Sequence, residues 1–217
     1  MTEPGGQSAL LAPDSVLHRA SERLAQRFSG IFAEETVERV VFESYASLGL
    51  GATVRTHLPS LAERFAADRL TALAQSKGII AKPVPEVLYI CVHNSGRSQM
   101  AAALTRHLSG GRVHVRSAGS QPSGEGILPS VVTVLAEIGI TVDEEFPKPL
   151  TDDVVRAADA VVTMGCGDAC PLYPGKRYLD WELADPSALD LDGVRAVRDA
   201  IRLQVEELIA ELVPVRR

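Results

Sequence analysis

The chain has no surplus of positive charge: 22 Lys and Arg stand against 28 Asp and Glu, a formal net charge of −6 at pH 7. With a pI near 5.4 it offers no broad basic field to a nucleic acid or an anionic membrane. Any anion it binds must be held by local donors. It also lacks an apolar run long enough to cross a bilayer. Met1 to Gln7 have neither the basic stretch nor the hydrophobic core of a secretion signal, so a cytoplasmic location is expected. Cysteine is sparse, at three residues. In a reducing compartment three do not make a structural disulfide framework, and the odd count leaves at least one thiol without an intramolecular partner.

What is present suits one good core and a smaller module: 217 residues, 46% apolar and 23% charged. Residues 1–13, rich in Gly, Pro and Ser, read as a disordered end. Residues 14–80 carry three apolar stripes at helical spacing: Val16, Leu17, Ala20, Leu24 and Phe28; then Val37, Val41, Tyr45 and Leu48; then Leu58, Leu61, Phe65 and Ala66. This predicts a three-helix domain. Its charge is about −1, nine acids against eight Lys and Arg over Met1 to Ile80, too little positive charge for a DNA-binding helix pair. His18 and His57 read as surface or packing residues.

Pro83 and Pro85 interrupt the helical pattern, and residues 81–86 read as a linker to a second domain at 87–217. There the pattern alternates: strands at Val87–Val92, Val113–Ser117, Ala160–Met164 and Arg177–Asp180, with helices at Ser98–Leu108, Leu128–Ile138, Asp152–Ala157 and Leu191–Leu212. That order predicts an α/β fold with a parallel sheet flanked by helices, whose ligands sit beyond the carboxyl ends of the strands.

The stretch Cys91-Val92-His93-Asn94-Ser95-Gly96-Arg97-Ser98 leaves an apolar strand and enters a helix. Backbone N–H groups of such a loop can wrap an oxyanion, the positive end of the helix faces the same centre, and Arg97 can clamp two oxygens. The same features favour the reactive thiolate of Cys91. Ser98 can donate to the sulfur, and Asn94 tolerates the left-handed backbone that would pin the loop. The bland alternative is a buried strand-end thiol and a solvated arginine.

The pattern Cys, five residues, Arg, Ser, continued by Gln99 and Met100 and by Ser117-Ala118-Gly119, resembles the low-molecular-weight tyrosine phosphatases and the arsenate reductases that share their fold. The resemblance spans Val87 to Leu212. It implies that Cys91 is the nucleophile and that Asp185, in Asp185-Pro186, is the general acid that protonates a departing oxygen. Asp-Pro alone would equally start a turn.

Phosphate and arsenate are both tetrahedral oxyanions, so the loop does not tell them apart. Cys166 and Cys170 follow the strand at Ala160–Met164, on the rim where Cys91 is expected. A phosphatase has no use for two more thiols there, whereas reducing arsenate to arsenite consumes the two electrons that a thiol pair yields on closing to a disulfide. The resemblance to the thioredoxin-coupled branch implies three displacements: Cys91 attacks arsenate, Cys166 attacks the adduct and expels arsenite, and Cys170 attacks the Cys91–Cys166 disulfide. Thioredoxin is then the expected external reductant, with no bound cofactor, and a low-molecular-weight thiol with a glutaredoxin-like partner is the alternative. Three residues separate Cys166 from Cys170, a tighter pair than is usual for that branch. Two small residues filling a loop, or a zinc site completed by a His, are the competing readings, the latter without a second ligand pair.

Departures from the phosphatases narrow the substrate. Ser187 and Ala188 stand where aromatic residues would frame a phosphotyrosine. Some relatives hold a potassium ion beside the loop through acidic side chains; Ala102 and Lys148 occupy two of those positions, so no metal is expected. The helical front end is similar to extensions in actinobacterial arsenate reductases, and its stripes would suit a homodimer. Arsenate reductase is therefore the leading reading, with phosphate and sulfate as substrate analogues. An aryl or phosphotyrosine phosphatase and a redox or arsenic sensor are the rivals.

Overall fold

A computed structural model of the chain describes residues 13–51, 56–165 and 171–214. The first twelve residues, and with them the expected disordered end, lie outside the described residues, as do Cys166 and Cys170. Three helices come first, α1 (Pro13–Arg27), α2 (Glu34–Gly49) and α3 (Leu58–Ser76). Glu34 and Glu35 sit in the first turn of α2, where acids complement the helix dipole, and a proline opens α3. Leu17, Ala20, Leu24, Phe28, Val37, Val41 and Ala66 pack together as the core of this unit. Much of each apolar stripe is thus buried inside the unit. His18 pairs with Glu38 at 2.9 Å beside the Phe42 ring, and His57 precedes α3, its carbonyl accepting from Leu61 N at 3.1 Å.

The remaining elements are β1 (Glu86–Cys91), α4 (Arg97–Ser109), β2 (His114–Gly119), α5 (Pro129–Ala136), α6 (Asp152–Ala157), β3 (Ala160–Met164), β4 (Arg177–Asp180), a 3-10 turn at Pro186–Ala188, and α7 (Leu191–Leu212). The four strands form one sheet in the order β2-β1-β3-β4, and every neighbouring pair is parallel. β1 is central and fully buried. Its side chains alternate between faces, as a strand requires. Val87, Tyr89 and Cys91 join the layer built with α4, α5 and α7, while Leu88 and Ile90 join Ala118, Val154, Val155 and Val161 on the other side. Each such leucine or isoleucine contributes about 1.5–3 kcal/mol on leaving water.

That second layer is completed from the helical unit. Ala72 of α3 lies in the same cluster as Leu88, Ile90 and Val155, its small side chain letting α3 approach α6 and the sheet. Ion pairs seal the junction. Arg69 of α3 bonds Asp153 of α6 at 2.9 Å, and Arg116 of β2 bonds Asp68 of α3 at 2.8 Å while pairing with Glu86 of β1. Arg116 and Glu86 are both buried. Burial alone would push the Glu86 carboxyl up, but His114 and Arg116 hold it below the usual carboxylate range. Pro83 and Pro85 therefore mark a change of pattern between units packed on a common face.

Register positions the site. Cys91 is level with Gly119 of β2 and Met164 of β3, so three strands release their loops at one edge. Val92 had been expected inside the strand. It lies beyond the strand because β2 ends at Gly119 and the Val92 carbonyl instead accepts from Gln121 N at 2.8 Å. No helix among the described residues is long and apolar enough to cross a membrane.

Candidate active site

Cys91 ends β1 with its side chain on the inner face, buried. The loop that follows is shaped by Asn94, whose φ of 50° is the one positive value outside glycine among the described residues. Asparagine tolerates that conformation because its short amide bonds locally, and here it does so extensively. Asn94 Oδ1 accepts from Lys148 N at 2.8 Å and from Gln99 Nε2 at 3.2 Å, and its carbonyl accepts from Gln99 Nε2 at 3.1 Å. Asn94 Nδ2 donates to Ser98 Oγ at 2.8 Å.

That last bond orients the nucleophile's partner. An amide nitrogen only donates, so Ser98 Oγ accepts from Asn94 and directs its own hydrogen to Cys91 Sγ, 3.0 Å away. Asn94 N–H also donates to Sγ, at 3.3 Å. Two donors converging on sulfur match a thiolate acceptor.

A segment that sequence reasoning did not single out, Ser120 to Leu128, holds the loop from behind. Its N–H groups take the outward carbonyls: Ser120 N donates to Cys91 O at 3.1 Å, Gln121 N to Val92 O at 2.8 Å, Ser123 N to His93 O at 2.9 Å and Leu128 N to Ser95 O at 3.0 Å. With carbonyls turned out, the intervening N–H groups are free to face the centre, which the amino end of α4 also faces. Gly96 is required where the loop meets the acid-bearing turn, since a Cβ there would stand 2.7 Å from Pro186 Cγ.

Arg97, the first residue of α4, reaches across the cleft. Its Nη2 donates to Asp185 Oδ2 at 3.2 Å and its Nη1 to the Leu183 carbonyl at 3.3 Å. Asp185 caps the 3-10 turn, Oδ1 accepting from Ser187 N at 3.0 Å and Ser187 Oγ at 2.8 Å. Burial alone would push its carboxyl up, but the two Ser187 bonds, then the Arg97 and His93 charges, hold it below the usual range. Trp181, packed on Tyr89 with ring centroids 5.6 Å apart, anchors the start of this loop.

The cleft measures about 290 Å³. Cys91, His93, Ser95, Gly96, Arg97 and Asp185 line it, and so do Ser123, Glu125 and Leu128, which the sequence did not reveal. Ser187 lines it where an aromatic residue would frame an aryl group, and none of its described lining residues is Phe, Tyr or Trp. Lys148 N holds Asn94, while its ammonium donates to Glu145 Oε2 at 3.1 Å and to the Phe146 carbonyl at 3.3 Å. Gly165 follows the last residue of β3. With φ at 72°, it lies against Arg97, and a Cβ there would be 3.1 Å from Nη1. Residue 166 follows directly in the chain.

The profile of low molecular weight phosphotyrosine protein phosphatases matches residues 86–215, and that of the protein-tyrosine-phosphatase-like N-terminal domain matches residues 17–74. The chain belongs to the low molecular weight phosphotyrosine protein phosphatase family. Among relatives within this family, a glutaredoxin arsenate reductase from Synechocystis sp. is 31% identical over 130 residues, 58% of this chain and 98% of its own. An arsenate reductase from Staphylococcus aureus is 30% identical over 125 residues, 56% of this chain and 93% of its own. In three dimensions, a thioredoxin-dependent arsenate reductase from Corynebacterium glutamicum superposes with a TM-score of 0.84 at 50% identity, covering 93% of this chain and 98% of the other. An arginine phosphatase from Geobacillus stearothermophilus superposes with a TM-score of 0.52 at 26% identity, covering 59% of this chain and 92% of its own. The proteins similar to this chain thus bear the names of arsenate reductases and of a phosphatase, and the chemistry of this member turns on its own residues.

Proposed function

We propose that the protein is an arsenate reductase that turns arsenate into arsenite with three of its own thiols. The observation that carries this reading is the position of Gly165 against Arg97: the strand that ends beside the anion clamp continues directly into Cys166. A cysteine next in the chain to the clamp is a natural second nucleophile for an adduct held there.

In the first step the Cys91 thiolate, receiving Asn94 N–H and the Ser98 hydroxyl, attacks arsenic. An As–O bond breaks, and Asp185 supplies the proton with which that oxygen leaves as water. The loop N–H groups and Arg97 hold the remaining oxygens. Cys166 then attacks Cys91 Sγ. The S–As electron pair passes to arsenic, which leaves as arsenite, and a Cys91–Cys166 disulfide forms. Cys170 attacks Cys166, freeing Cys91 and leaving a Cys166–Cys170 disulfide, so two thiols have been oxidised for one two-electron reduction.

The disulfide is returned to thiols by thioredoxin, the reductant named for the relative that is half identical to this chain over most of its length. Such coupling places the protein in the cytoplasm, where thiols are kept reduced. The cycle uses protein thiols, with no metal or prosthetic group. The test is arsenate turnover with purified thioredoxin, thioredoxin reductase and NADPH, for the wild type and for Cys170→Ser. The wild type turns over and Cys170→Ser stalls; equal rates would remove Cys170 from the cycle. Hydrolysis of an aryl phosphate at comparable efficiency, unaffected by loss of Cys166 and Cys170, would instead favour the phosphatase reading.

A further inference from the structure

Arg97 and Asp185 pair with each other across the cleft. All three partners of the Asp185 carboxyl are donors, Ser187 N–H and hydroxyl on Oδ1 and Arg97 Nη2 on Oδ2. This arrangement fits a carboxylate; a carboxyl hydrogen on Oδ1 would need the Ser187 hydroxyl to turn from donor to acceptor. Yet a general acid must carry a proton, and an anion clamp must be free to turn to the anion. Arg97 is instead committed to Asp185 and to the Leu183 carbonyl.

We propose that oxyanion capture and protonation of Asp185 are one coupled exchange: the anion takes Arg97 from Asp185, and Asp185 takes a proton from solvent. This rests on the oxyanion-cup reading of the Cys91 loop. A dianion in the cup withdraws the neighbouring positive charge from Asp185 and adds negative charge in the same cleft, and both changes favour the neutral carboxyl. The acid is thereby armed only when a substrate-like anion is present. The ion pair and an oxyanion compete for Arg97. Because the liganded state binds the extra proton, anion affinity must rise as pH falls through the window between the two proton affinities of Asp185.

Cys91, His93 and Glu125 face the same cleft and can also exchange protons when an anion enters, so the experiment holds them constant. Sulfate is the probe, because it stays a dianion across the range and any proton taken up goes to the protein. Cys91→Ser and the double variant Cys91→Ser with Asp185→Asn are titrated with sulfate by calorimetry, in buffers of different ionisation heat, between about pH 4.5 and 6.5. Cys91→Ser takes up a proton fraction that approaches one per sulfate. The double variant loses that share, binds sulfate about tenfold more tightly or better, and has a flatter pH dependence. Equal uptake in the two variants, or sulfate binding without uptake, would overturn the exchange. Absence of sulfate binding by Cys91→Ser would overturn it together with the cup. Proton-linked sulfate binding in a protein that does not turn over arsenate would leave the exchange standing and remove the reductase reading.

Discussion

Gly165 leaves little room for a side chain beside Arg97: a β-carbon on the glycine would sit 3.1 Å from Nη1, and the φ of 72° at Gly165 is one that other residues adopt at a cost. Gly165→Ala therefore pushes on the guanidinium and strains the chain just before Cys166. Phosphate binding, as an unreactive analogue, weakens about tenfold, consistent with ~1–2 kcal/mol of strain and lost clamp geometry. Unchanged phosphate affinity with unchanged turnover would show that Gly165 has no part in the site.

Asn94 makes two separable contributions, a left-handed backbone and a side chain that bonds Ser98, Gln99 and Lys148. Asn94→Gly keeps the first and removes the second; Asn94→Ala removes both. Both variants lose about 100-fold or more in turnover, as removal of a buried network of several bonds implies, and the alanine variant is also less stable by ~1 kcal/mol. Near-wild-type turnover in Asn94→Gly, measured beside thermal unfolding, would show that backbone shape alone suffices.

The pH profile reports on Ser187. Its hydroxyl donates to Asp185 Oδ1 at 2.8 Å and favours the charged form of a group that, as the proposed general acid, would work protonated. Ser187→Ala removes that donor and raises the proton affinity of Asp185, whose carboxyl is held below the usual range. The alkaline limb of the kcat profile moves to higher pH, by up to ~1 unit. A limb that stays in place or moves down would take Ser187 out of the tuning of the acid.

Stability is expected to show the junction between the two units. Glu86 has its proton affinity lowered from an ordinary value of 4.5, so its contribution is present above that value and fades as pH falls through the lower folded-state value. Glu86→Gln leaves Arg116 buried with Asp68 as its remaining acidic partner, at a cost of about 1–3 kcal/mol near neutral pH. The variant also loses part of the wild type's steepening acid sensitivity below the ordinary glutamate range. Denaturant unfolding at several pH values measures both effects, and identical curves would show that the pair contributes nothing.

The Cys91 loop was legible in the sequence because its residues are contiguous and their side chains carry the chemistry. Asn94 and Ser98 do what their residue types allow, and Asp185 lies in the same cleft as Arg97. The Ser120–Leu128 brace was not legible, because it works through backbone N–H groups that any residue but proline supplies. Val92 was drawn into the strand by its apolar side chain, although strand length is set by where β2 ends. Ala72 lies beyond the apolar stripe traced at Leu58 to Ala66, and only the docked helix reveals that it packs in one cluster with Leu88 and Ile90. Ion pairs between distant elements, Arg116 with Glu86 and Arg97 with Asp185, depend on register and loop closure that no local pattern encodes.

The relay from the first sulfur to the second is open to one direct measurement. Cys170→Ser, fully reduced and then given arsenate without any external reductant, should release one arsenite per chain and accumulate a Cys91–Cys166 disulfide, identified by peptide mass mapping. Arsenite release that leaves Cys91 unlinked to Cys166, or no arsenite at all from this fully reduced variant, would contradict the account.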